Sequence, residues 1–443
     1  MTSEMTRGNL WKNILLYSIP LVFTNLLQLL FNIADVAIVG KFAGSLSLGA
    51  VGSTTLLVSL TTGWLIGIAN GVNSLVAYFS GAGDREREGF SVQTGFVLCL
   101  AMGMLTLLLG ICFARPALTL LGTRPELIEE AILYFRIYMT GSPALALFNF
   151  GNAVLSAEGN TRKPLKFLAI AGMINVCLNL FFVLALHRTA DGVAYASVIA
   201  QYISAALILR TLIGSKETWR LPLGKLRFRR ELAARILKIG IPAAMQYSLF
   251  AVANLFIQSA VNSFDHVVVE GNSAAMNFDN LVYEMMAAFY VATTSFIAQN
   301  YGAGEKDRVK RVYQITTLYS FGIAAVLGVL IHIFRVPLLS VFTNDAEVVA
   351  AGEIRLKMLS FAYCLSAFMD NATAACRGLG KTAAPTVMVM LGTVGFRILW
   401  LYTVFAHFGT LQSLYLLYAF AFVLTAIPLN LYYFALYRRT FLK

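Results

Sequence analysis

The nonapeptide SGAGDRERE, residues 80–88, returns as YGAGEKDRV at residues 301–309, and the distance between the two copies decides how the whole chain is read. The same offset of 221 residues carries Gly159 and Pro164 of GNTRKP onto Gly380 and Pro385 of GKTAAP, and Pro116 of RPALTLL onto Pro337 of VPLLSVF. SIP at 18–20 matches GIP at 240–242 one residue further on. A near-constant offset across four separated anchors means that one structural unit is written twice.

What the unit is made of follows from composition. Of 443 residues, 58% are hydrophobic and only 13% charged, with a mean hydropathy of +0.72. Soluble domains carry about half apolar and a quarter charged residues, so this is an integral membrane protein. Nearly charge-free runs of about 20 residues, long enough to cross a ~30 Å hydrocarbon core, recur throughout. Backbone polar groups in lipid must be bonded within the segment, so such runs are helices. Twelve spans are expected, near 14–40, 53–80, 90–114, 134–156, 166–186, 192–212, 239–263, 276–303, 312–334, 357–376, 382–406 and 411–437. The long uncharged run after Phe42 is expected to hold an outer connection, AGSLSLGAVG (43–52), before the second span.

The fold class is therefore all-α integral membrane, with twelve transmembrane helices in two six-helix lobes. An even number of spans per half makes the halves parallel repeats about an axis along the membrane normal, an arrangement of alternating-access transporters. The expected division is an N-lobe at 1–213, a basic cytoplasmic linker at 214–235 containing SKETWRLPLGKLRFRRELAAR, and a C-lobe at 236–443. With the N-terminus inside, 25 of the 34 Lys and Arg residues fall on the cytoplasmic side and 8 outside, with Arg397 within a span. Positive charge concentrates in loops retained in the cytoplasm, so both termini are expected there, in a multi-pass protein of the cell membrane. That asymmetry accounts for the net charge of +12 without a nucleic-acid partner. No cleavable leader is expected, because MTSEMTRGNLWKN runs straight into the first span.

The five cysteines (Cys99, Cys112, Cys177, Cys364 and Cys376) are odd in number and scattered, which reads as packing rather than disulfides or a metal centre. GLGKT at 378–382 has Ala375 where a phosphate-binding loop needs its first glycine, and no strand precedes it. No catalytic group, metal site or cofactor is expected, so transport must draw on an ion gradient. Gly63, Gly67 and Gly71 form a small-residue row suited to close helix approach.

A charge within a span is retained mainly where it faces protein or a water-filled cavity. Asp35 of FNIADVAIVG (31–40), Glu284 and Asp370 are such acids, and Arg397 is the embedded base. The repeat does not require them: an offset of 222, as for SIP and GIP, maps Asp35 onto Ile257, and one of 221 maps Glu284 onto Gly63, Asp370 onto Asn149 and Arg397 onto Val176. Asn32 lies one turn before Asp35. Asn175 and Asn179 of INVCLNLFF project from one helix face. Oxygen ligands of this kind suit Na⁺, and a carboxylate alone can carry a proton. The plainer alternatives are an Asp35–Lys41 pair, asparagines acting as interhelical hydrogen bonds, and a structural pair of Glu284 or Asp370 with Arg397.

Two six-span lobes, SIPLVFTNLLQLLFNIADVAIVG (18–40), QNYGAGEKDRV (299–309) and ACRGLGKTAAP (375–385) together resemble the multidrug and toxic compound extrusion family. The resemblance implies a V-shaped transporter fold that exports cationic, amphipathic drugs or metabolites in exchange for Na⁺ or H⁺. It implies an ion site made of Asp35, Asn175 and a hydroxyl at Ser197, with Asn179 standing where many members have aspartate. Another branch uses an acid in span 7 with one in span 10. Asp370 resembles the latter, but Phe250 occupies the former position. The expected partners are a small organic, cationic substrate and the lipid bilayer, with the chain acting as a monomer. A flippase for a lipid-linked or polysaccharide precursor is the alternative function, and a channel or non-transporting scaffold a more distant one.

Overall fold

The computed structural model describes residues 5–441. Among them the chain is helical nearly throughout: α1 Leu10–Ile38, α2 Gly44–Ala82, α3 Arg85–Leu120, α4 Pro125–Met139, α5 Ser142–Ala157, α6 Arg162–Ala185 and α7 Ala190–Ile213. The second series is α8 Arg230–Val261, α9 His266–Gly302, α10 Lys306–Leu339, α11 Ala346–Leu359, α12 Ala362–Gly378, α13 Ala383–Phe408 and α14 Leu411–Phe441. Shifting the first series by 221 residues lands each helix on its counterpart in the second. The repeat therefore governs the architecture, and the fold is the all-helical membrane fold that the sequence predicts.

The repeated loops show why those anchors survive in the sequence. Gly83 and Gly304 follow α2 and α9 at φ +70° and +75°, and Gly159 and Gly380 follow α5 and α12 at +76° and +73°. A residue closing a helix in the left-handed region is best made of glycine, which has no Cβ to clash. After Gly83, the Asp84 carboxylate accepts the Arg87 amide at 3.0 Å and starts α3. Its oxygen satisfies a donor that the first turn leaves orphaned.

Two expectations are corrected. The outer connection predicted at 43–52 is not a loop. The first helix continues through a π-type turn, Val39–Ala43, and α2 starts at once at Gly44, whose φ of +91° turns the chain. The spans predicted at 134–156 and 357–376 are each two helices. α4 and α5 meet at a 45° bend after Met139, and at the corresponding place of the second repeat α11 ends at Leu359 and α12 starts at Ala362. Pro143 in the first turn of α5 lacks the amide that would continue the α4 ladder. Counting each broken pair as one span restores six per repeat.

The described chain divides into two compact units, one holding residues 23–248 and the other residues 5–22 with 249–441. Each unit thus contains the opening half of the other repeat's first helix. In the first unit, α2 and α5 lie at the centre among α3, α4 and α7. The glycine row of α2 meets the start of α8 there. A Cβ built on Gly67 would stand 2.3 Å from the Ala244 backbone, and one on Gly71 would stand 2.4 Å from the Ile236 carbonyl oxygen. The row is a helix-packing surface. In the second unit, α9 and α12 are central, and residues 5–22 pack on α9 and α10. The Tyr17 hydroxyl donates to Ser295 Oγ at 3.0 Å, and its ring meets Phe296 edge-on. Arg308 donates to the carbonyls of Met5 and Gly8, both at 3.1 Å. Cys99, Cys364 and Cys376 are buried in these cores, whereas Cys112 and Cys177 are exposed.

Candidate ion site in the N-terminal unit

Asp35 sits in the last turns of α1, half-buried, and its carboxylate turns toward α6 and α7. What brings the helices together is a notch. Gly172 of α6 faces the Phe31 ring so closely that a Cβ there would lie 1.8 Å from Cε2. Phe31 and Asp35 are one turn apart on α1, while Gly172 and Asn175 are one turn apart on α6. The ring in the notch therefore sets the carboxylate opposite the asparagines. From the other side, Glu130 of α4 accepts Ser47 Oγ at 2.6 Å and the Ala190 amide at 3.3 Å. That carboxylate ties the start of α2 to the start of α7, the helix that carries Ser197.

Four side chains close a ring of hydrogen bonds. Asn179 Nδ2 donates to Asp35 Oδ1 and, at 3.3 Å, to Asn175 Oδ1. Asn175 Nδ2 donates to Ser197 Oγ at 3.4 Å, and Ser197 Oγ donates to Asp35 Oδ2 at 3.5 Å. The asparagines and Ser197 are buried. Five side-chain oxygens thus share one small volume, around a single carboxylate. Asn179 Oδ1 is buried without a hydrogen-bond partner. A buried acceptor left orphaned costs about 1–3 kcal/mol, a cost that a cation or a carried proton would relieve. The stacked rings of Tyr134 and Tyr138 on α4, 6.1 Å apart, pack with Ala194 and Val198 of α7 beside Ser197.

Two of the three helices that supply the ring change their hydrogen-bond pattern just beyond it, with π-type turns at Val39–Ala43 after Asp35 and Phe181–Ala185 after Asn179. Such turns concentrate at functional sites. The expected members Asp35, Asn175, Asn179 and Ser197 are therefore together. Asn32 is exposed and outside the ring, and Lys41 is exposed over the Phe42 ring rather than paired with Asp35.

The second unit is different. Glu284 is half-buried on α9. Asp370 is buried on α12, with Oδ2 lacking a hydrogen-bond partner. The plainer alternative of a pair between Asp370 and Arg397 is not found. Among the described residues Arg397 makes no ion pair, and its Nη1 donates to Asn254 Oδ1 at 3.3 Å. The buried pair is one that sequence reasoning missed: Arg355 Nε to Asp279 Oδ2 at 2.7 Å, with Arg355 Nη1 on Asn272 Oδ1 at 2.7 Å. Asp279 lay at the expected edge of one span and Arg355 just outside another. The longer α9 and α11 draw both inward.

Comparison with known proteins agrees with this architecture. The profile of the MatE family matches residues 20–181 and again 242–403, one copy per repeat. The probable multidrug resistance protein YpnP of Bacillus subtilis is 28% identical over 361 residues, 81% of this chain and 80% of that protein. The FAD transporter of Shewanella oneidensis is 24% identical over 340 residues, 75% of this chain and 74% of that protein. A solved structure described as the outward-facing conformation of a multidrug resistance MATE family transporter of the MOP superfamily is similar at a TM-score of 0.92. It is 22% identical, over 99% of this chain and 98% of that one.

Proposed function

The chain belongs to the MatE family of membrane transporters, and from that premise we propose that it is a secondary antiporter exporting cationic, amphipathic drugs or metabolites in exchange for Na⁺ or H⁺. The observation that carries the reading is the closed ring of Asp35, Asn175, Asn179 and Ser197, a carboxylate surrounded by neutral oxygens where the second repeat has Ile257 and Phe396. Nothing in the duplicated scaffold needs an acid there, so the acid serves a task of its own.

In this reading the coupling ion binds at Asp35. A proton neutralises the carboxylate and lets the ring bond internally. A Na⁺ ion draws the five oxygens toward itself. Either ion favours the conformation in which the ring is closed, and a ligand shifts a conformational equilibrium only through such differential affinity. The protein works as a monomer in the cell membrane, with both termini in the cytoplasm. The names of relatives such as YpnP support drugs as cargo.

The test is ethidium efflux from cells expressing the wild type or Asp35→Asn at matched levels. Efflux is expected to fall at least tenfold in the variant. Undiminished efflux would remove Asp35 from the coupling mechanism. In proteoliposomes, an imposed Na⁺ gradient and an imposed pH gradient then separate the two ions.

A further inference from the structure

The second unit contains a buried cation that the ion site leaves unexplained. Arg397 is 3% exposed in the middle of α13 and makes no ion pair among the described residues, whereas the other buried arginine of this unit, Arg355, is paired with Asp279. Asp370, buried on α12, makes no hydrogen bond or ion pair with it. An unpaired charge inside a membrane protein is expensive and is retained for function. Here the guanidinium is held rather than neutralised: its plane lies over the rings of Tyr418, at 4.7 Å, and Phe422, at 5.9 Å. Cation–π contact of this kind stabilises the charge without using its N–H groups.

The N–H groups show what is left open. Nη1 is spent on Asn254, an exposed residue of α8, so the guanidinium reaches a surface-lining amide. Nε is buried without a partner. Nε and Nη2 form the side-on edge of an arginine, the edge that matches the two oxygens of a carboxylate or phosphate. The backbone singles out the same place. π-type turns at Met390–Gly395 and Leu401–Phe405 flank Arg397 on both sides, as similar turns follow Asp35 and Asn179 in the first unit.

We propose that Arg397 is the centre of an oxyanion-recognition subsite in the second unit, taking the carboxylate or phosphate of an amphipathic molecule. The apolar body of that molecule lies beside the Tyr418 and Phe422 rings, and Asn254 holds Nη1 at the exposed edge of the subsite. The subsite extends the cargo beyond cations to anionic and zwitterionic amphiphiles. It is independent of the ion that drives transport, and it is read by binding alone.

The experiment measures binding of fluorescein, a planar aromatic anion, and of ethidium, a planar cation, by fluorescence anisotropy. The purified protein is held in phosphatidylcholine nanodiscs. Arg397→Gln should weaken fluorescein at least tenfold, and Arg397→Lys at least threefold, because lysine keeps the charge but loses the fork. Asn254→Asp places a carboxylate at an exposed position against the guanidinium and should also weaken fluorescein at least tenfold. Ethidium affinity should be unchanged or tighter in all three. Adding phosphatidylglycerol separates two sources of the same chemistry. Displacement of fluorescein identifies a lipid headgroup as the ligand, persistence identifies a free organic anion, and both uphold the subsite. Equal fluorescein affinity in wild type and Asn254→Asp, or no saturable fluorescein binding to the wild type, would overturn it. Asn254→Asp decides the matter even where Arg397→Gln does not fold.

Discussion

Asn179 donates its side-chain amide to the carboxylate of Asp35 across 144 residues of sequence, and the same amide nitrogen also reaches Asn175. One side chain thus links two of the ring's other members. Replacing Asn179 with Leu, close to it in volume, removes both bonds and leaves Asp35 with Ser197 alone. The expected outcome is a loss of ethidium efflux comparable to that of Asp35→Asn. Asn175→Leu, which leaves the Asp35–Asn179 bond in place, should lose less.

The Phe31–Gly172 notch sets the ring's geometry from outside it. Gly172→Ala puts a methyl into the Phe31 ring and should reduce efflux several-fold at normal expression. Phe31→Ala in the same chain frees the space and should restore at least half of the loss. Efflux assays on the two single variants and the double variant form a double-mutant cycle that measures the contact.

Close helix approach in the first unit predicts a steep steric penalty. Gly67→Val cannot be accommodated against the Ala244 backbone, and overpacking of this kind costs about 1–3 kcal/mol or more. Thermal unfolding of the purified protein should show a lowered Tm. Gly52→Ala, where a Cβ has nothing within 4 Å, should leave it unchanged.

Arg355 and Asp279 form a buried pair, for which loss of one partner is worse than loss of both. Arg355→Met alone leaves Asp279 charged and buried, and should destabilise by about 3–5 kcal/mol. Arg355→Met with Asp279→Leu should recover most of that stability. Equal unfolding temperatures for the single and double variants would show that the pair is not the source of the effect.

At the end of α5, Glu158 predicts a pH dependence. Burial is the main cause that pushes its carboxyl up to about 8, with the neighbouring Glu88 charge adding to the shift. An acid whose folded pKa lies above its unfolded value stabilises fully below the unfolded pKa, and that stability is lost as pH rises through the folded one. Wild-type Tm should therefore fall between about pH 5 and pH 8. The second repeat has Leu379 at this position, buried in its core. Glu158→Leu should flatten the profile and raise Tm at pH 9.

The parts of this architecture legible in the sequence are those fixed by local chemistry. Gly83, Gly159, Gly304 and Gly380 mark the repeat because a left-handed turn keeps glycine whatever surrounds it. Asn175 and Asn179 could be placed on one face because a helix repeats every 3.6 residues. The breaks after Met139 and Leu359 were hidden, since each lies inside an apolar run whose hydropathy barely changes. The π-type turns have no residue signature. Arg355 and Asp279 were missed because each is an ordinary helix-end charge until tertiary packing buries it against the other. The alternative of an Arg397–Asp370 pair could not be decided from spacing, because which helices become neighbours is set by tertiary packing; Arg397 bonds Asn254 instead.

The exchange of opening half-helices bears on how the protein is made. The first unit needs residues up to 248, and the second needs residues from 5 to 22. As the ribosome works from the N-terminus, the first six spans are inserted while their unit still lacks α8, and α1 waits until about two thirds of the chain has been made for the helix that receives Tyr17. Unit completion is thus tied to the emergence of the linker and α8 rather than to the sixth span. A chain halted near residue 213 would present the Gly63, Gly67 and Gly71 row uncovered to the bilayer and to the quality-control machinery that surveys it.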